Sequence, residues 1–148
     1  MESQQTAHPK LFIGIDIHKR NWKVHCSTDL FMGKSFSMSA NPEKLLAYVS
    51  KHFHGHQVTT AYEAGCCGYY AHRCFESYGW QSLVVNPADI HRKGKEQHTK
   101  TDKIDAQLIA RELKDGRLES IIIPDKEREE LRSLFRRRND LVKDFRRV

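Results

Sequence analysis

The run LFIGIDI at residues 11–17 constrains the fold more than any other feature of this sequence. It is continuously apolar apart from Asp16, which is typical of a β-strand covered on both faces. A strand of this kind requires a sheet with other layers on each side. The chain has 148 residues, which is enough for one domain with a core of its own.

The segments that follow predict strands and helices in a definite order. Alternating or β-branched apolar residues predict four more strands, at 21–28, 33–39, 57–63 and 80–86. Helical spacing and caps predict helices at 42–53, at 68–79, in a segment ending at Gly116, and from about 125 onward. This order predicts an α/β fold. Its mixed five-stranded sheet is flanked by helices, with the first and fourth strands adjacent, and a long C-terminal helix follows.

Four acidic residues occupy positions that a globular protein rarely gives to carboxylates. Asp16 interrupts the apolar strand, Glu63 closes the fourth strand, and Asp102 and Asp105 stand near the start of the third helix. Each alone has a structural explanation, such as a hydrogen-bonded turn, an exposed strand end or the positive end of a helix. Together they predict a Mg²⁺ or Mn²⁺ site, because buried carboxylates are costly unless paired or bound to a hard cation.

The third predicted helix carries two of these four acids on its apolar face. In KTDKIDAQLIARELK, Asp102 and Asp105 share one helical stripe with Ile109 and Leu113. We expect Thr99 or Thr101 to be the N-cap, so that Asp105 lies within the helix and its stripe points into the core.

Basic residues form two blocks. Residues 91–103 carry +3 and residues 126–148 carry +4 of a net charge of +6. Two such blocks suggest a polyanionic partner, although a solvated surface explains the charge alone at least as well. His18 and Lys19 follow the first strand closely enough to approach the carboxylates and touch phosphate, although a solvated turn explains them equally well. The candidate nucleic-acid-binding residues are Lys19, Arg92, Lys93, Lys95, Lys100, Lys103, Arg136, Arg137 and Arg138.

The last helix carries a narrow apolar seam. Leu131, Leu134, Leu141, Phe145 and Val148 fit a seven-residue repeat that Arg138 interrupts. The seam predicts a coiled-coil linker that forms a dimer, although a helix folded back onto its own domain explains it equally well.

Three segments of this sequence carry a resemblance to a known family. FIGIDIHKRNWKV, AYEAGCCGYYAHRCFESYGWQSLVVNP and KTDKIDAQLIARELKDGRL resemble the signature blocks of DEDD transposases of the insertion-sequence one-hundred-and-ten family. These transposases are related to the Piv DNA invertase and, in fold, to the RuvC resolvase. The resemblance covers residues 11–120, in the same order and spacing.

The resemblance implies a ribonuclease H-like fold and a divalent-metal site of Asp16, Glu63, Asp102 and Asp105 that cleaves and joins DNA. It also implies a structured RNA that guides the full-length enzyme. We expect a disordered tail at 1–10, a catalytic domain at 11–123 and a linker helix at 124–148. The family's C-terminal serine domain is expected to lie outside this chain, which alone would then not complete recombination.

Other functions fit parts of the pattern. A ribonuclease H-like nuclease or Holliday-junction resolvase would use the same carboxylates without strand joining. An actin-like ATPase also places an aspartate in its first strand, but it needs phosphate-binding glycine turns that this sequence lacks. A non-catalytic assembly module is a third alternative.

No apolar run approaches the roughly 20 residues of a membrane span, and no signal pattern is present, so a bacterial cytoplasmic location is expected.

Overall fold

The computed structural model describes residues 7–31, 33–65, 67–90 and 105–147. The strands are β1 (Lys10–Ile17), β2 (Asn21–Thr28), β3 (Lys34–Ser39), β4 (Gln57–Glu63) and β5 (Gln81–Val85). The helices are α1 (Pro42–His52), α2 (Tyr70–Ser77), α3 (Ala106–Lys114) and α4 (Lys126–Arg146), and a 3-10 turn spans Pro87–Asp89. The predicted order of elements is therefore confirmed.

The five strands form one sheet in the order β3-β2-β1-β4-β5. β1 pairs antiparallel with β2 and parallel with β4, and β4 pairs parallel with β5. The sheet is mixed, and its first and fourth strands are neighbours, both as predicted. The parallel pairs follow from the helical crossovers, since a hairpin can join only antiparallel strands.

The sheet is covered on both faces, as the apolar run of β1 requires. On one face, Ile13 and Ile15 of β1 pack in a cluster with Leu45 of α1 and Phe75 of α2. On the other face, Ile109 and Leu113 of α3 pack in a separate cluster with Ala61 and Val85. Alternate residues of each strand thus belong to different layers.

Gly14 determines how closely α3 approaches the sheet. A Cβ atom at Gly14 would lie 2.1 Å from the Ala106 carbonyl oxygen and 2.5 Å from the Ala110 nitrogen. The backbone of α3 therefore rests directly on β1. At the other end of the helix, Lys114 Nζ donates to the Thr28 carbonyl oxygen at 2.9 Å, and Thr28 pairs with Leu11 at the start of β1. α3 thus runs opposite to β1, with its N-terminus over the end of β1.

The start of α3 corrects one expectation. Asp105 is itself the N-cap: its backbone is extended, and its side chain accepts a hydrogen bond from the Leu108 amide at 2.7 Å. The prediction that Asp105 lies within the helix is wrong, because its carboxylate competes successfully for the free amides of the first turn. Ile109 and Leu113 are buried as predicted. Thr99, Thr101 and Asp102 lie outside the described residues.

α4 touches the domain through its first turn. Its N-cap Asp125 accepts from the Arg128 amide at 2.8 Å, and Glu129 contacts Arg73 of α2 and the Tyr69 amide. None of the described α4 residues is buried. Among the described helices, none is both long and apolar enough to cross a bilayer.

Candidate carboxylate site

Asp16 and Glu63 lie side by side at one edge of the sheet. The parallel register of β1 and β4 pairs Ile15 with Tyr62, so the next step places Asp16 beside Glu63. Both residues are half-buried. Because neighbouring strands lie about 4.8 Å apart, the two carboxylates share one small region at the C-terminal end of these strands.

The two carboxylates point towards the α3 side of the sheet. Ile15 and Tyr62 belong to the cluster under α1 and α2, and side chains alternate along a strand. Asp16 and Glu63 therefore share a face with Gly14 and with Ala61, which packs against α3.

Asp105 lies near the same edge, on the α3 side of the sheet. It immediately precedes Ala106, whose carbonyl oxygen covers Gly14, two residues before Asp16. The N-terminus of α3 also contributes partial positive charge at this edge. Three of the four predicted carboxylates thus lie toward one end of the sheet. The register of β1 and β4 places Asp16 and Glu63 there, and the direction of α3 places Asp105, whereas Asp102 lies outside the described residues.

The described side chains of this edge do not form a closed metal cage. Within the described residues, no three His, Cys, Asp or Glu side chains are grouped closely enough to hold a metal ion. Asp105 is exposed, and its carboxylate is engaged in capping Leu108. The donor set of Asp16 and Glu63 nonetheless suits a hard divalent cation, because it consists of carboxylate oxygens at a half-buried, open edge.

His18 is the nearest described partner of Asp16. Its Nε2 atom lies 3.2 Å from Asp16 Oδ2, and the two side chains are 61% and 23% exposed. The expectation that His18 approaches the carboxylates is confirmed. Lys19 is exposed in the same turn, so a cationic or hydrogen-bonding group faces solvent beside the carboxylate edge.

The loop after β4 is held in place by three contacts. The Ala64 amide donates to the Val85 carbonyl oxygen at 2.8 Å, and the Tyr62 hydroxyl donates to the Gly68 carbonyl oxygen at 3.0 Å. Burial raises the pKa of Tyr62, which keeps this hydroxyl a donor. Glu129 of α4 accepts from the Tyr69 amide at 3.4 Å. The first turns of α4 are thereby fixed next to the loop that leaves Glu63.

A cleft with a volume of about 480 Å³ opens between this loop and α4. We call it the loop–α4 cleft, and its lining residues are Ala64, Gly65, Gly68, Tyr69, Glu129, Arg132, Ser133 and Arg136. Arg136 was predicted to bind nucleic acid; Arg132 and Ser133 were not. Their signal was available in the sequence, since Arg132 and Arg136 are four residues apart and so share a helix face.

The other predicted basic residues are placed differently. Arg137 and Arg138 line a separate, shallow groove on α4 with Leu134, Leu141, Val142 and Phe145. The five basic residues predicted between 92 and 103 lie outside the described residues: Arg92, Lys93, Lys95, Lys100 and Lys103.

Comparison with known proteins gives a consistent result. The family model named for the DEDD transposases of IS110, with the description "Transposase", matches residues 13–148. A stretch of 146 residues is 31% identical to "Putative transposase y4qE" of Sinorhizobium fredii (strain NBRC 101917 / NGR234), covering 91% of this chain and 35% of that protein. A stretch of 88 residues is 34% identical to "Putative transposase y4rJ" of the same strain, covering 55% of this chain and 22% of that protein.

The chain therefore spans about a third of the length of the first of these relatives. The family match includes Asp16, Glu63, Asp105 and the whole of α4. Because it extends over nearly the entire chain, this protein belongs to the IS110 family of transposases.

Proposed function

We propose that this chain is the metal-dependent catalytic part of a DNA transposase, which cleaves and joins DNA strands at the carboxylate edge. The observation that carries the proposal is the placement of Asp16 beside Glu63, under the N-terminus of α3. Family membership supplies the substrate class, because transposases act on DNA. The sheet order, with β1 between an antiparallel and a parallel neighbour, supports a ribonuclease H-like assignment for the fold.

Asp16, Glu63, Asp102 and Asp105 are proposed to hold Mg²⁺ or Mn²⁺. When bound, such an ion supplies Lewis-acid stabilisation of the charge that develops on the phosphate oxygens. His18 orients the Asp16 carboxylate through its Nε2 atom and can hold or release a proton beside the reacting phosphate. The positive end of α3 favours an anion at the same edge.

The domain is proposed to divide as its sequence suggests, with catalysis in residues 11–123 and a linker helix in 124–148. DNA is the proposed partner, and a structured guide RNA is proposed on the family resemblance.

We also propose that α4 forms a dimer, since Leu134 and Phe145 on its apolar seam are 60% and 86% exposed. Pairing of two such seams would remove these side chains from water.

Conservative substitutions test the carboxylate site. We expect Asp16→Asn and Glu63→Gln to abolish both Mn²⁺ binding, measured by calorimetry, and Mn²⁺-dependent nicking of supercoiled DNA. Asp29→Asn is the matched control, because Asp29 is exposed in the turn after β2, at the opposite end of the sheet. Wild-type Mn²⁺ affinity in Asp16→Asn and Glu63→Gln would contradict the proposal.

Asp105 allows its structural and chemical roles to be separated. Asn caps a helix about as well as Asp, so Asp105→Asn retains the hydrogen bond to Leu108 but loses the charge. We expect Asp105→Asn to keep the thermal stability of the wild type and to lose Mn²⁺-dependent nicking. If Asp105→Asn nicks DNA like the wild type, Asp105 acts only as a cap and does not belong to the metal site.

A further inference from the structure

We propose that the loop–α4 cleft binds one backbone phosphate of the DNA strand being processed, through Arg132, Arg136 and Ser133. The proposal rests on the proposed function, because it assumes that DNA lies at the carboxylate edge. It adds a positioning site on α4, a helix whose role would otherwise be limited to linking or pairing.

The chemistry of the cleft suits a phosphate. Arg132, Ser133 and Arg136 line the cleft from α4, and guanidinium groups bind phosphate oxygens in a bidentate manner. The cleft volume of about 480 Å³ has room for a phosphate with its flanking sugars. Its walls are mainly polar groups, which would suit a hydrated anion better than an apolar ligand.

The positive charge of the cleft is available to a ligand. Its acidic residue, Glu129, forms an ion pair with Arg73 at 2.5 Å and accepts a hydrogen bond from the Tyr69 amide. Among the described residues, Arg132 and Arg136 have no carboxylate within ion-pair distance. Glu129 therefore anchors the helix while the two arginines keep their donors for an anion.

The opposite wall allows close approach to the backbone. Gly65 is exposed, and a Cβ atom there would meet nothing within 4 Å. At Gly68 the corresponding space is taken by Glu129, whose Oε1 atom would lie 2.8 Å from a Cβ atom there. A strand of DNA could thus lie against the main chain of the loop at Gly65, with its phosphate directed at α4.

The position of the cleft relative to Glu63 gives it a function. Ala64 and Gly65, which line the cleft, directly follow Glu63, so their Cα atoms lie within about 4 to 8 Å of the Glu63 Cα atom. The α4 wall of the cleft is attached to α2 and Tyr69, so a phosphate held there would lie beside the loop that leaves Glu63, on the α2 side of the sheet. Holding it would fix where the DNA strand passes the end of β4 that carries Glu63.

A pair of charge-matched variants tests this site on the full chain. Binding of a fluorescein-labelled DNA duplex is measured by anisotropy, in EDTA, over a series of salt concentrations. We expect Arg132→Gln with Arg136→Gln to weaken binding about tenfold and to lower the slope of log K against log[salt] by about 0.9, the value for one phosphate contact. Both arginines are exposed, so the melting temperature should not change.

The control removes the same charge from the C-terminal end of α4. Arg146→Gln with Arg147→Gln alters the last residue of the helix and its C-cap, both exposed, about 15 Å beyond Arg136. We expect this pair to leave the slope unchanged. Equal losses in the two double variants would overturn the proposal, because they would show a diffuse electrostatic effect without a phosphate site.

A second variant tests the cleft by adding charge. Ser133→Asp places a carboxylate between Arg132 and Arg136, and we expect it to weaken DNA binding as much as the double substitution does. Wild-type affinity in Ser133→Asp would contradict the site. Binding of a labelled RNA hairpin is measured in parallel. If the cleft variants weaken binding of the RNA but not of the DNA, the assignment of the site to DNA is wrong.

Failure of this proposal is distinguishable from failure of the proposed function. Binding in EDTA does not require the metal site, whereas nicking does. If Asp16→Asn abolishes nicking while the cleft variants bind DNA as the wild type does, the proposed metal site is supported and the proposed phosphate site in the loop–α4 cleft is wrong.

Discussion

Helices α3 and α4 begin in the same way and end up in different environments. Each has an aspartate N-cap, Asp105 or Asp125, which accepts from the amide three residues later at 2.7 or 2.8 Å. α3 nevertheless buries five of its nine residues, whereas none of the described residues of α4 is buried. Equivalent local capping therefore says nothing about what a helix packs against.

The difference lies in the surface that each helix meets. The backbone of α3 packs closely over Gly14 of β1, where Ala106 and Ala110 occupy the space that a Cβ atom would need. α4 meets the domain through the Glu129–Arg73 ion pair of its first turns, and its apolar seam continues into solvent. Shape complementarity to the sheet, rather than helix propensity, makes α3 part of the core.

The largest effect is expected from removing the groove under α3. In Gly14→Ala the new Cβ atom would collide with backbone atoms of α3, so the helix must move. We expect a loss of about 3 kcal/mol in the free energy of unfolding, measured by urea denaturation with tryptophan fluorescence.

Gly65→Ala is the matched control for Gly14→Ala. A Cβ atom at Gly65 would meet nothing within 4 Å, so we expect a change within about 0.5 kcal/mol. A similar loss in both variants would mean that the approach of α3 to β1 is not what makes Gly14 necessary.

A smaller effect is expected from the two caps. Asp105→Ala should cost about 1 kcal/mol in global stability, because α3 unfolds with the core that it covers. Asp125→Ala should change the global transition by less than about 0.5 kcal/mol, because fraying of an exposed helix releases little buried surface. Equal costs for the two variants, measured by urea denaturation, would indicate that α4 unfolds together with the domain.

The seam of α4 should contribute least to the stability of the domain. We expect Leu134→Glu with Leu141→Glu to leave the urea midpoint unchanged, since both side chains are more than half exposed. The same variant should sediment as a monomer, because the new charges prevent two seams from pairing. Asn139→Glu, on the same helix, should sediment as the wild type does, and a monomeric wild type would refute the proposed dimer.

The sequence predicted the elements well because their signals are local. The helix predicted at 42–53 is preceded by Asn41, whose side chain caps α1 by accepting a hydrogen bond from the Glu43 amide at 2.9 Å. The apolar run of β1 predicted a strand covered on both faces, and helices cover β1 on each side. The N-cap of α3 was mispredicted because several polar residues in KTDKID are competent caps, and local propensity does not choose between them.

The candidate site was predictable in part. Asp16 stood out as an acid within an apolar strand and Glu63 as one that closes another. Their lateral position follows from the predicted adjacency of the first and fourth strands. The loop–α4 cleft was not predicted, because it depends on an ion pair between Arg73 and Glu129. These residues are far apart in the sequence, and no local pattern relates them.

The sequence by itself determined which segments form strands and helices, which acids interrupt apolar segments, and that both faces of β1 must be covered. These properties depend on periodicity and capping, which act over a few residues. Only the tertiary structure decided that α3 runs opposite to β1, that Asp105 caps this helix, and that Arg132 and Arg136 stand beside the loop after Glu63. Those outcomes depend on the space at Gly14 and on contacts between distant segments, which exist only once the chain has packed.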